Sequence, residues 1–137
     1  MRPSLLMVAG ALLLALVPAA QAASERQARA AAELDRALQG RVAGKPVDCL
    51  YLRDIRSSRI IDRTAILYET NSGTIYVNRP RSGANTLDKW DVLVTDTHSP
   101  QLCSIDIVRL YDSNVRMPTG FVGLGEFVPY HKQSAQR

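Results

Sequence analysis

The segment "RIIDRTAILYETNSGTIYVNRP" (residues 59–80) decides the fold, because it carries the clearest β-hairpin signal in the chain. β-Branched and aromatic residues stand on both sides of an Asn-Ser-Gly turn, and Gly73 can adopt the positive φ angle that such a turn requires. We therefore expect two antiparallel strands, at 66–68 and 75–77, joined by this turn.

Further short strands are expected on either side of the hairpin. Turn-forming residues separate several runs rich in β-branched and aromatic side chains, a pattern typical of small antiparallel folds. The glycines of the last run predict a bulge or a tight bend there. The sequence thus predicts a mainly β (α+β) fold, a small antiparallel sheet or partly closed barrel with an N-terminal helix. The runs are "CLYLRDI" (49–55, a strand or a single helical turn), "WDVLVT" (90–95), "CSIDIVRLYD" (103–112) and "FVGLGEFVPY" (121–130).

The segment "SERQARAAAELDRALQG" (residues 24–40) predicts the helix. Ser24 can cap its first turn, and Gly40 suits the left-handed residue that follows a helix end. Because the apolar stripe is narrow and mostly alanine, we expect the helix to dock loosely or to be partly detached, with a linker at 41–46. The stripe consists of Ala30, Ala31, Leu34, Ala37 and Leu38.

The first 22 residues have the pattern of a cleaved secretory signal peptide. Arg2 precedes an uncharged run of 13 residues, 5–17, and small residues precede a cut between Ala22 and Ala23. The alternative, an uncleaved anchor, is disfavoured because a spanning helix needs about 20 apolar residues. We expect export to the periplasm of a Gram-negative bacterium, with no stable membrane insertion after cleavage.

The predicted organisation is a leader (1–22), a helix and linker (23–46), one β domain (47–130) and a disordered tail (131–137). The whole chain has 17 basic and 13 acidic residues, a net charge of +4, and the charges are mixed along it. Such a mild, dispersed charge indicates solubility and gives no nucleic-acid footprint, so we expect no nucleic-acid partner.

Cys49 and Cys103 support three hypotheses: a nucleophile, a metal ligand or a disulfide. The chain has two histidines, His98 and His131, and neither lies in a recognisable catalytic or zinc motif. An even number of cysteines in an exported chain favours the disulfide. We predict that bond and no metal or cofactor.

Two other groups of polar residues allow a functional or a structural interpretation. Asp106, inside an apolar run, could be a perturbed acid acting with His98, but a solvent-facing or loop-capping role is favoured. Four arginines could form an anion-binding face, although a solvated surface with local ion pairs is the commoner outcome. They are Arg53, Arg56, Arg59 and Arg63. Six aromatic residues are expected mostly in packing contacts: Tyr51, Tyr68, Tyr76, Trp90, Tyr111 and Tyr130.

Five motifs resemble an uncharacterised family of small exported proteobacterial proteins, a domain of unknown function. They are "CLYLRDIR" (49–56), "IIDRTAILY" (60–68), "TIYVN" (74–78), "QLCSIDI" (101–107) and "GLGEFVPY" (123–130), which contain C-x-x-x-R-D-I, L-C-x-x-D-I and G-L-G-x-F-x-P. The family has no assigned activity. The resemblance implies four cysteines, two of them at Cys49 and Cys103 and the others near Ser82 and Val122, where this chain has none. It thereby also implies that Cys49 pairs with Cys103.

The expected function is that of an exported, non-catalytic envelope binding or accessory domain, monomeric, with an unknown envelope component or protein as its partner. One alternative is a small periplasmic hydrolase that uses Asp106 and His98. The other is an inhibitor of a periplasmic enzyme that presents the "RPRSG" loop (79–83).

Overall fold

The computed structural model describes residues 19–134. Within that range the chain forms one helix, ten short strands and two short 3-10 turns, at 52–54 and 84–86. The helix α1 spans Ala19–Leu38. The strands are β1 (Arg41–Ala43), β2 (Cys49–Tyr51), β3 (Ile55–Ile61), β4 (Ala65–Thr70), β5 (Ile75–Asn78), β6 (Asp91–Thr95), β7 (Gln101–Cys103), β8 (Ile107–Asp112), β9 (Met117–Gly123) and β10 (Phe127–Lys132).

The strands form three antiparallel sheets, none of them closed into a barrel. The main sheet has the order β1-β10-β5-β4-β3, the small sheet pairs β2 with β7, and the outer sheet has the order β6-β8-β9. The mainly β fold with an N-terminal helix is therefore confirmed, in its antiparallel-sheet form.

The predicted hairpin forms the centre of the main sheet. β4 and β5 pair antiparallel, with Tyr68 opposite Tyr76, and Gly73 has a φ angle of 83° in the turn between them. β4 is almost entirely buried because both faces of the main sheet are covered. An internal strand buried on two sides has a nearly continuous apolar sequence, as "AILY" does here.

The helix covers one face of the main sheet. Ala30 and Leu34 are its buried residues, and they pack against side chains of β3, β4 and β5 that include Ile61 and Leu67. Of the predicted stripe, Ala30, Leu34, Ala37 and Leu38 dock on the sheet, whereas Ala31 is exposed. Gly40 follows the helix with a φ angle of 71°, as predicted.

The other face of the main sheet packs against the small and outer sheets. Tyr68 and Phe127 meet there edge to face, with ring centroids 5.7 Å apart. The shared core contains Leu50, Ile60, Ile66, Tyr68, Leu87, Leu102, Val108, Leu110, Val122, Leu124 and Phe127.

A buried asparagine closes the core beside the "GLG" segment. The side-chain amide of Asn78 donates to the carbonyl oxygen of Gly125 at 2.6 Å, and its carbonyl accepts the Gly125 N–H at 3.1 Å. Both polar atoms of this fully buried side chain are therefore satisfied by the backbone of one residue.

Several predicted boundaries at the N-terminus are corrected. Ser24 lies inside the helix and is not its cap, because the preceding "AAQAA" is itself a good helix former and is already helical. The predicted cut between Ala22 and Ala23 falls within α1, and the rest of the predicted leader, 1–18, lies outside the described residues. Part of the predicted 41–46 linker forms β1, because Arg41–Ala43 pair with the end of β10.

Two predicted strands are each divided in two. The 103–112 run is interrupted by a turn at 104–106, which separates β7 from β8, and the 121–130 run bends at the glycines between β9 and β10. In both cases the two halves belong to different sheets. β10 continues to Lys132, two residues into the predicted tail, and residues 135–137 lie outside the described range.

Candidate functional site

The two cysteines are joined in a disulfide. Cys49 and Cys103 lie directly opposite each other on β2 and β7, with their sulfur atoms 2.04 Å apart. Asp48 fixes the adjacent turn, since its backbone carbonyl accepts the Ser104 N–H at 2.8 Å and its carboxylate accepts the Ser104 hydroxyl. The predicted pairing is confirmed, and a sulfur in a disulfide is neither a thiolate nucleophile nor a metal ligand.

Asp106 caps the turn that follows Cys103. Its carboxylate accepts the Cys103 backbone N–H at 2.6 Å, and its own carbonyl accepts the Leu124 N–H at 3.0 Å. Asp106 thus lies in the turn between β7 and β8 and not within a strand. Its contacts are those of the loop-capping role. His98 lies exposed in the loop between β6 and β7, and neither residue lines the two surface grooves described below.

The structure does not bring the four predicted arginines to one face. Arg53 lies over the ring of Tyr51 at 5.1 Å, and Arg56 pairs with Glu69 on β4. Arg63, with a φ angle of 51°, belongs to the β3–β4 turn at the opposite end of β3. Arg59 lies exposed on β3, opposite Leu67 of β4.

The "RPRSG" loop is tied to the domain and does not project from it. The Arg81 guanidinium donates to the carbonyl oxygens of Leu124 and Ser104, and the Arg81 N–H donates to the Gly123 carbonyl at 2.9 Å. Gly83 follows with a φ angle of 73°, and a Cβ there would collide with the Phe121 carbonyl. These contacts anchor the loop to the turn that follows β7 and to the "GLG" segment.

The outer sheet has an apolar face exposed to solvent, and sequence reasoning missed it. Side chains of β6, β8 and β9 alternate between the core and this second face, which carries apolar residues as well. We call the solvent-facing side the outer face. Its apolar residues, 38–62% exposed, are Val92, Val94, Ile107, Tyr111 and Phe121.

Trp90 extends this apolar region beyond the start of β6. The side chain is 70% exposed, and the Lys89 ammonium lies 5.2 Å from its ring centroid. Trp90 was predicted as a packing residue, so its exposure is a correction. Large exposed aromatic side chains beside an apolar surface are typical of binding sites.

One edge of the outer sheet is unpaired in the described chain. β6 pairs with β8 on one side only, so a row of its backbone N–H and C=O groups borders the outer face. The carboxylates near this edge are engaged elsewhere: Asp91 accepts the Thr119 hydroxyl, and Asp96 pairs with Arg109 at 3.2 Å. Natural sheets usually protect an edge with charged side chains, whereas the centre of this strand is Val-Leu-Val.

A basic groove separates the helix from the edge of the main sheet. Arg29, Glu33 and Arg36 line it from α1, and Arg59 lines it from β3, around a volume of about 510 Å³. A second groove of about 400 Å³ adjoins it and shares Arg59. The two helix arginines were not singled out by sequence reasoning, because nothing in the sequence places residues 29 and 36 beside residue 59.

Neither a metal centre nor a membrane span is found in the part of the chain that the structure describes. No group of three or more His, Cys, Asp or Glu side chains is arranged to hold a metal ion. No helix between residues 19 and 134 is both long and apolar enough to cross a bilayer.

Comparison with known proteins gives no relative. No protein-family model, curated protein or solved structure matches the chain. The resemblance to a family of exported proteobacterial proteins therefore stays a prediction.

Proposed function

We propose that this chain is an exported, non-catalytic binding domain of the bacterial cell envelope, and that the outer face of its outer sheet holds another protein. The exposed apolar residues of that face carry the proposal. A sheet that covers a core with one face normally turns polar side chains to water with the other. Here valine, isoleucine, tyrosine and phenylalanine occupy the outer face, which is the composition of a contact surface.

The charge on the outer face is balanced within the chain. Arg109 lies on the middle strand of the outer sheet, opposite Val94 on one side and Phe121 on the other, and its guanidinium pairs with Asp96 at 3.2 Å. A partner surface that covers this face therefore needs mainly apolar side chains.

The free edge of β6 supplies a second element of recognition. An extended segment of the partner that pairs with this edge would satisfy its backbone groups, and alternate side chains of that segment would lie against Val92 and Val94. Main-chain pairing provides affinity in such complexes, and the apolar contacts provide specificity.

Export is part of the proposal and has its own support. The leader sequence fits a signal peptide, and a disulfide between Cys49 and Cys103 suits an oxidising compartment. The rival hydrolase would need a free carboxylate at Asp106, which instead accepts a backbone amide. Intact mass of the periplasmic fraction tests export: a mature chain starting at Ala23 supports it, and recovery of the full-length chain in the cytoplasm contradicts it.

Photocrosslinking in intact cells tests the binding face. A photoreactive phenylalanine analogue at position 121 is expected to form an adduct with another envelope protein, and Phe121→Asp should prevent capture from a second reactive position at 94. The control places the analogue at Val42, which is 51% exposed on β1, away from the outer sheet. Equal adducts at 121 and 42, no adduct at 121, or only an adduct of two copies of this chain would contradict the proposal.

A further inference from the structure

We propose that the basic groove between α1 and β3 binds a phosphate monoester, with Arg36 and Arg59 as the residues that hold the phosphate. This site lies on the helix side of the main sheet, whereas the outer sheet covers the opposite side. It is therefore independent of the proposed protein-binding face.

The groove presents two arginines to an anion. Arg29, Arg36 and Arg59 line it with the carboxylate of Glu33, and Arg29 is paired with Glu25, so Arg36 and Arg59 are the arginines that remain for a ligand. A phosphate monoester offers three acceptor oxygens, whereas the bridging phosphate of a diester offers fewer. Two guanidiniums can therefore engage a terminal phosphate better than a bridging one.

Two of these guanidiniums are free to bind an anion. Among the ion pairs of residues 19–134, Arg29 pairs with Glu25 at 3.5 Å, but Arg36 and Arg59 take part in none. Arg36 uses only its Nε, which donates to the Ala32 carbonyl at 3.4 Å. Guanidinium groups bind phosphate oxygens with two parallel hydrogen bonds, so two of them on opposite walls can hold one phosphate group.

The packing of the helix explains why Arg59 is available. Residues 59, 61 and 67 lie on the helix-facing side of the main sheet, and α1 covers Ile61 and Leu67 but leaves Arg59 exposed beyond its edge. Arg56, the neighbouring arginine, is neutralised by Glu69. Arg59 thus remains the unpaired positive charge at the rim of the sheet.

The adjoining groove accommodates the organic part of the ligand. It offers the hydroxyl groups of Ser57 and Ser58 and the apolar side chains of Leu67 and Ile75, together with Glu69, whose carboxylate is paired with Arg56. The two grooves, of about 510 and 400 Å³, are continuous through Arg59 and open to solvent. Either a soluble phosphate ester or the headgroup of a phosphate-monoester lipid has this chemistry.

Titration of the mature domain with glycerol 3-phosphate, followed by NMR at constant ionic strength, tests the proposal. We expect saturable shifts in the Arg36 and Arg59 Nε–H signals, and roughly tenfold weaker binding for Arg59→Ala and for Arg36→Ala, the loss expected when one charge-assisted hydrogen-bonding group is removed. Arg26→Ala is the matched control, because Arg26 is exposed on the same helix but does not line the groove.

Two outcomes would overturn the site: shifts that do not saturate, or equal weakening by Arg26→Ala and Arg59→Ala, which would indicate only a general positive field. Glycerophosphocholine, a diester, should bind much more weakly, and equal binding would remove the monoester assignment. Vesicles of phosphatidylcholine with and without phosphatidic acid separate the two ligand sources. Binding that depends on phosphatidic acid and on Arg59 identifies a lipid, and glycerol 3-phosphate binding alone identifies a soluble ester.

Discussion

The main sheet and the outer sheet are built from similar residues but have different surroundings. The helix covers one face of the main sheet and the other two sheets cover the opposite face, so β4 is buried on both sides. The outer sheet buries only its inner face, yet its outer face is also apolar. The same composition therefore serves packing in one sheet and leaves a surface for contact in the other.

The chain's only two phenylalanines represent this difference. Phe127 on β10 is completely buried, whereas Phe121 on β9 is 62% exposed. They are six residues apart, on either side of the bend that separates the two sheets. Comparing them separates the contribution of an aromatic side chain to folding from its contribution to binding.

The largest expected effect is the loss of stability in Phe127→Ala. Truncation of this buried ring also removes its edge-to-face contact with Tyr68 and should lower the free energy of unfolding by about 3–5 kcal/mol. Phe121→Ala should lower it by less than about 1 kcal/mol, because an exposed ring leaves no cavity. Urea unfolding of both variants measures this, and equal losses would remove the distinction between the two sheets.

The second prediction concerns the bond that ties the two regions together. Cys49 precedes the main-sheet strand β3, and Cys103 precedes the outer-sheet strand β8, so their disulfide closes a 54-residue separation. Cys49→Ala combined with Cys103→Ala should lower the free energy of unfolding by roughly 2–5 kcal/mol. Urea unfolding of this double variant beside the oxidised wild type measures the loss.

Thiol counting provides the control for this bond. The native protein should consume no thiol reagent before reduction and two equivalents after it. Consumption of two equivalents by unreduced protein would show that the sulfurs are free, and Cys103 would again be a candidate nucleophile or metal ligand.

Local signals were sufficient to predict the hairpin and the bond. Neighbouring residues alone predict the turn at Gly73 and the helix end at Gly40. The disulfide was predicted from the even number of cysteines together with the leader pattern at the N-terminus. The division of the 103–112 run was missed because Asp106 looked like one polar residue within an apolar strand. Its carboxylate caps a turn, a role that depends on the position of a backbone amide.

Periodicity could not identify the binding face. Along β8 apolar residues occur at odd and even positions, with Val108 and Leu110 buried and Ile107 exposed, so the pattern does not distinguish the core face from the solvent face. The basic groove was missed for a different reason. It joins the helix to a strand more than 20 residues away, and only tertiary packing places Arg36 beside Arg59.

A second disulfide would sharpen the comparison by joining the two regions again. Ser82, in the loop after main-sheet strand β5, pairs with Gly123 at the end of outer-sheet strand β9. A Cβ built on Gly123 would lie 3.9 Å from the Ser82 Cβ, within the range of about 3.5–4.5 Å found in disulfides. These are also the positions near which the resembled family implies its other two cysteines.

Ser82→Cys combined with Gly123→Cys should therefore form a disulfide and raise the free energy of unfolding by up to about 4 kcal/mol. The gain is smaller to the extent that the Cys49–Cys103 bond already restricts the unfolded chain. Peptide mapping should identify two bonds, 49–103 and 82–123, with all four thiols blocked. Ser82→Cys alone is the control and should keep one reactive thiol. Free thiols in the double variant would contradict the juxtaposition of the loop and β9.

The smallest expected effect is that of Tyr68→Phe, at the contact between the two regions. The Tyr68 hydroxyl is buried and has no hydrogen-bond partner among the described residues, so its removal should leave the free energy of unfolding unchanged or raise it by up to about 1 kcal/mol near pH 7.

Burial also raises the pKa of Tyr68 well above its ordinary value of about 10. Above about pH 10 the unfolded chain loses the Tyr68 proton, whereas the folded chain keeps it. The stability of the wild type should therefore fall as pH rises, and Tyr68→Phe should lessen that fall. Urea unfolding at pH 7 and at alkaline pH measures both effects, with Tyr111→Phe on the outer face as the control. A clear loss of stability at pH 7 would mean that the hydroxyl is bonded within the core, and the contact between the two sheets would then have a polar component.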